Sequence, residues 1–153
     1  EKFHHFPDLS FQEYFEMISL SAGKESGNSF KVGFQTIRFI KFFFKNPQHA
    51  LSKINDHYIE NEKYKEDMPD ITFLHQDNLN IELYEFLLNL GYPNNSIEFI
   101  IKSKKVNVTH RENKDNDLKH FFSPEMINEV LKKDKLLLKL FPEYKNEVMS
   151  LIH

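Results

Sequence analysis

Apolar positions recur along this chain mostly at the three- and four-residue spacing of an α-helix. In residues 9–27, LSFQEYFEMISLSAGKESG, the side chains Phe11, Tyr14, Phe15 and Ile18 share one helical face. Ser10 and Glu13 stand at capping-box spacing before that face, and Gly23 or Gly27 supplies a stop. Residues 27–46 carry Phe30, Phe34, Ile37, Ile40 and Phe44 on or near one face. This predicts a second helix, although the Phe and Ile content also fits a strand. Asn46-Pro47 reads as an N-cap followed by a first-turn proline. It opens a third helix through residues 49–65, striped by Leu51, Ile54 and Tyr58, and EDMPD (66–70) ends it.

The pattern changes at ITFLH (71–75), which is short, β-branched and aromatic, and predicts a buried strand. A helical stripe returns with Leu79, Leu83, Phe86, Leu87 and Leu90, and Gly91 and Pro93 close it. SIEFIIKSKK (96–105) fits either a short helix or a strand. A polar stretch, KVNVTHRENKDNDLKHFFSPEM (105–126), comes next. Ser123 then caps a last long helix with Pro124 in its first turn, and Ile127, Val130, Leu131, Leu138 and Phe141 lie along one face. The expected fold class is mainly α with one or two short strands, in a single domain over residues 1–153. A polar loop as long as 105–126 inside a compact domain is usually functional or disordered.

Composition narrows the options. The chain of 153 residues has 40% hydrophobic residues, sixteen of them Phe, which is ample for one core. A net charge of −3 argues against a nucleic-acid partner. The richest apolar run, FIKFFFKN (39–46), carries two lysines and is too short for a membrane span. With no Cys, disulfides and thiolate metal sites are excluded, and a reducing, cytoplasmic compartment is compatible with that. The opening EKFHHFPDLS resembles neither a signal peptide nor a natural start, so a soluble piece of something longer is expected.

Several chemistries lack their residues. SAGKESG is not a phosphate-binding P-loop, because Ile18 stands where its first Gly is required and Glu25 where its Ser/Thr is required. The eight His form no H-E-x-x-H pair, and His49 and His57 lie two helical turns apart, so no metal is expected. There is no G-x-S-x-G elbow. Asp134 interrupts the apolar stripe of the last helix, and a carboxylate there is costly unless it is paired. It lies at the stripe's edge in water, braces a nearby segment through N–H groups, or takes a catalytic role.

Two phrases carry a family resemblance. ITFLHQDNLNIELYEFLLNLGYP resembles a segment of the PAPS-dependent sulfotransferases, particularly the carbohydrate-type branch. In that branch a strand with an R-F-E-D-L-like ending leads into a helix closed by L-G, and here Gln76 stands at the usual acid. Residues 106–144 resemble the family's C-terminal phrase. Asn107, Thr109 and Arg111 precede its polar loop, and Phe121, Phe122, Ser123, Pro124 and Glu125 open its last helix. Asp134, Leu140, Phe141 and Tyr144 continue it in order. Residues 1–18 are similar to the segment that comes after the family's 3′-phosphate motif.

The resemblance implies the C-terminal half of the P-loop-like α/β sulfotransferase fold, with the 71–75 strand joining a parallel sheet. It implies PAPS as sulfuryl donor and a hydroxyl of a carbohydrate or small molecule as acceptor. The polar loop would cover the nucleotide, with Lys105, Asn107, Thr109 and Arg111 contacting its phosphates. Arg111 would be the strongest, since a guanidinium binds phosphate in bidentate fashion. Read from the residues alone, KSKK and HRENK also fit a solvated surface. The family's N-terminal phosphosulfate-binding segment and its 3′-phosphate Arg/Ser motif have no counterpart here. The chain alone is therefore expected to be inactive, and its uncovered strand edge implies a homo-oligomer or compensating helix packing. The alternative is a non-catalytic helical interaction or structural domain built on the same scaffold.

Overall fold

The computed structural model describes residue 3 and residues 6–25, 32–103 and 121–150. Among these residues the protein is helical and contains no strand. No helix of the described residues is long and apolar enough to cross a membrane. The chain forms two compact units, the first from residues 1–69 and 113–153, the second from residues 70–112.

The first unit begins with α1 (Phe11–Glu25), and its capping box forms as the sequence predicts. The Ser10 N–H and hydroxyl donate to Glu13 Oε2 at 2.9 and 2.7 Å, and the Glu13 N–H donates back to Ser10 Oγ at 3.3 Å. The segment read as helix or strand is helix α2 (Phe34–Phe43), entered through Gly33 and left at Phe44, whose backbone is extended. Phe30 lies outside the described residues.

The third predicted helix is three helices, a correction with a local cause. Asn46 caps α3 (Pro47–Lys53) by accepting from the His49 N–H, with Pro47 in the first turn as read. The chain then extends at Ile54, and Asn55 accepts from the Tyr58 N–H to cap α4 (Asp56–Glu60). After a turn with Glu62 at φ 55°, α5 (Tyr64–Asp67) follows. The Tyr58 hydroxyl donates to Asp67 Oδ2 at 2.7 Å and ties α4 to the end of α5.

The last helix is likewise three. Ser123 Oγ accepts from the Met126 N–H to cap α9 (Pro124–Lys133), and that helix stops at Asp134. After it come α10 (Lys135–Leu140) and α11 (Pro142–Ser150). Ile37 and Ile40 of α2, Ala50 of α3, Ile54, and Leu136 of α10 are fully buried and centre the core of this unit. Tyr58, Ile59 and Tyr64 extend that core. At roughly 25 cal/mol per Å² of apolar surface removed from water, each buried Ile or Leu side chain contributes about 1.5–3 kcal/mol.

The second unit holds α6 (Leu79–Asn89), α7 (Asn94–Ile97) and α8 (Phe99–Lys102). Gly91 follows α6 at φ 88°, the left-handed conformation that ends helices and favours glycine. Residues 96–102 fall in α7 and α8, with a turn at Glu98 between them, so the described part of that segment is not a strand. The predicted strand at 71–75 is not one; its residues lie outside any helix and pair with no strand. A β-branched, aromatic run becomes a strand only where another strand takes its backbone groups. Here the His75 N–H instead donates to Glu82 Oε2 at 2.6 Å, at the entrance to a 3-10 turn (Gln76–Asn78) that leads into α6.

Candidate functional site

The most developed polar site of the first unit lies where α2 begins and α9 ends. Gly33, the N-cap of α2, has no side chain to cap the helix, so the first turn takes its acceptor from elsewhere in the chain. Asp134 supplies it. Its Oδ1 accepts from the Thr36 N–H at 3.1 Å and from the Thr36 hydroxyl at 2.6 Å, across 98 positions of sequence. Beside this contact the Gly33 N–H donates to the Lys133 carbonyl at 2.9 Å. Thr36 is completely buried. A carboxylate at the N-terminal turn of a helix meets both unpaired N–H groups and the positive end of the helix dipole.

Three influences act on the Asp134 carboxyl. Burial raises its pKa and is the largest, and the Thr36 hydroxyl and N–H lower it in turn. The Lys133 charge lowers it further, and the net shift is upward from 3.8. A carboxyl of raised pKa is a candidate for proton transfer. Here, however, Oδ1 already holds both Thr36 donors, so of the readings open in the sequence the geometry carries the brace.

Gly33 is required by this contact. A Cβ on residue 33 would fall inside the van der Waals radius of the Asp134 carboxylate. Thr36 and Gly33 were not singled out in the sequence, although one signal was present: a helix whose entry residue has no side chain to cap it needs an acceptor from a distance.

Next to the brace a cleft of about 230 Å³ opens between α1, the start of α2 and α9. Phe11, Phe15, Phe34 and Phe122 make its walls largely apolar, and Lys133 and Asp134 provide polar atoms. The Phe122 ring stands edge-on to Phe11 at 5.1 Å and Phe121 lies at 5.7 Å from it, anchoring α1 to the residues that precede α9. Lys133 is ion-paired with Glu129 one turn earlier.

The four predicted phosphate-contacting residues, Lys105, Asn107, Thr109 and Arg111, lie outside the described residues. Of the other residues that carry the resemblance, Ser123, Pro124 and Asp134 take defined positions as cap, first-turn residue and brace. Glu125 sits in the first turn of α9, and its carboxyl is held below its ordinary value by a hydrogen bond with Ser123 and by its own backbone N–H. The Phe141 ring lies 6.0 Å from Phe39 and 6.2 Å from Tyr144. Gln76 is exposed in the 3-10 turn of the second unit. Among the described residues no group of three or more His, Cys, Asp or Glu could hold a metal ion. No family model, curated protein or solved structure matches the chain.

Proposed function

We propose that the chain is sulfotransferase-like and forms the C-terminal part of an enzyme that uses PAPS to sulfate a hydroxyl of a carbohydrate or small molecule. In that reaction the bond between sulfur and the bridging phosphate oxygen breaks and a bond from sulfur to the acceptor oxygen forms. The hydroxyl proton passes to a base, and adenosine 3′,5′-bisphosphate leaves with the electron pair. The base is not among the residues the resemblance covers here. Negative charge grows on the leaving phosphate, so fixed cations and N–H donors accelerate the step. Lys105, Asn107, Thr109 and Arg111 are assigned to that role by the resemblance alone.

The observation that carries this reading is how the phrase 121–144 folds. Its Ser-Pro-Glu start is a working helix cap, and its Asp makes the contact that joins α9 to α2. What supports the reading is the order in which Ser123, Pro124, Glu125, Asp134, Phe141 and Tyr144 match the family's phrase, with Ser123 and Asp134 each in a defined structural role.

Thermal unfolding of the chain with increasing adenosine 3′,5′-bisphosphate tests the proposal. A ligand at a hundred times its dissociation constant adds about 2.7 kcal/mol to the folded state. A saturable rise that Arg111→Ala abolishes is the expected result. A flat response would overturn nucleotide binding by this chain and favour a helical interaction domain. One observation favours that second reading: Leu90, Tyr92, Phe99 and Ile101 of the second unit are each about half exposed or more, an unusual concentration of apolar surface. Sedimentation velocity would then be expected to show self-association.

A further inference from the structure

Away from the brace, α4, α9, α10 and α11 line an open cleft of about 410 Å³. That volume lies within the range of pockets that hold small molecules. Its floor is apolar, formed by Ile59, Leu131, Leu138 and Met149. Its polar residues are of nearly one sign: Lys135, Lys139 and Lys145 against the single carboxylate of Glu60. In a chain of net charge −3, three ammonium groups around one apolar floor stand against the overall balance.

The lysines are disposed to serve a ligand. The side chains of Lys135 and Lys139 are 41% and 44% exposed, so their methylene stems are largely covered while their charged ends reach water. Lys135 pairs with Asp56 at 2.7 Å and Lys139 with Glu62 at 3.7 Å. Such exposed pairs hold weakly against water, and they leave ammonium protons for a further acceptor. Lys145 has no ion-pair partner among the described residues.

We propose that this cleft binds a single-chain amphiphile with an anionic head. The hydrocarbon covers Leu131, Leu138 and Met149, and the head group accepts charge-assisted hydrogen bonds from Lys139 and Lys145. An uncharged chain would gain only the floor, and a cationic head would find no acceptor at Lys145, the lysine without an ion pair, so the cleft favours an anionic head. The site shares no residue with the proposed nucleotide contacts, so either proposal can fail without the other.

Met149 gives a local reporter, because it lines this cleft while Met126 lines a separate one against α1. The full chain, carrying 13C-methyl methionine, is titrated with dodecanoate below its micelle concentration. The expected result is a saturable shift of the Met149 methyl with little change at Met126. Lys139→Gln combined with Lys145→Gln, both on helix surfaces, should weaken the apparent affinity at least tenfold with the helical circular dichroism unchanged. Dodecanol and dodecyltrimethylammonium should bind at least tenfold more weakly than dodecanoate. A still Met149 methyl, equal binding of the three chains, or unchanged affinity in the double variant would each overturn the proposal. A Met149 response to a poly-glutamate peptide but not to dodecanoate would overturn it too, and assign the cleft to an acidic protein segment.

Discussion

Replacing Asp134 by Ala removes the acceptor of two donors on a residue with no access to water. Each buried donor left unpaired costs about 1–3 kcal/mol. Partial entry of water into the adjoining cleft reduces the sum, so a loss of about 3 kcal/mol is expected. Asp134→Asn keeps an oxygen at the same position, exchanging charge-assisted bonds for neutral ones but also removing the cost of burying a charge, so it should stay within about 1 kcal/mol of wild type. Thr36→Val removes the hydroxyl and keeps the N–H bond, giving an intermediate loss of about 1–2 kcal/mol. Urea unfolding gives these values, monitored by far-UV circular dichroism and by tyrosine fluorescence, which no Trp obscures. Because the folded-state pKa of Asp134 lies above its unfolded value, the folded chain holds the proton more tightly. The contribution of this linkage is fully present below pH 3.8 and is lost as pH rises through the folded value. The stability of the wild type relative to Asp134→Asn should therefore fall as pH rises from 3.8. An Asp134→Ala variant within about 0.5 kcal/mol of wild type, or an Asn variant as damaged as the Ala one, would refute the brace.

Three other outcomes can be checked by the same unfolding measurements. Gly33→Ala should destabilise by about 1–3 kcal/mol, the cost of overpacking, and much less in an Asp134→Ala background, where the colliding carboxylate is gone. Tyr58→Phe should cost about 1–2 kcal/mol through its lost bond to Asp67. Burial and the neighbouring Asp67 push the Tyr58 pKa far up, so its stability contribution is complete below pH 10 and declines above it, and alkaline unfolding should be less steep in Tyr58→Phe. Ser123→Ala removes the cap of α9 and should cost about 1 kcal/mol, with Ser123→Asp retaining most of the stability.

Local signals in the sequence translated well into structure. The Ser10–Glu13 box, the Asn46 and Ser123 caps with their following prolines, and the Gly91 stop all form where the residue types place them. Each involves atoms within a few residues, so nothing distant can override it. The break at Ile54 was hidden because the apolar stripe runs through it unbroken, and that at Asp134 because the stripe resumes beyond the acid; a stripe records which face is buried, not whether the axis continues. Asn55 is an ordinary polar residue within a helical pattern, and Asp134 an acid out of place on an apolar stripe, until their partners are known. The 71–75 run failed as a strand for the opposite reason: its propensity describes a fit to a sheet surface, and no sheet is formed among the described residues. The brace was legible only by half, as an acid in need of a donor, since Thr36 lies 98 positions away.

That distance has a consequence for how the protein comes into being. The core of the first unit draws Ile37, Ile40, Ala50 and Ile54 from one end of the chain and Leu136 from the other, with the second unit's residues in between. During synthesis, which proceeds at about 5–20 residues per second, the early helices leave the ribosome seconds before Leu136 and Asp134 are added. Throughout that interval the start of α2 has no acceptor for Thr36, and the core lacks one of its fully buried members. Residues 70–112 are contiguous and complete first, so nascent chains released before Asp134 should protect that segment from protease while residues 32–69 are still cut.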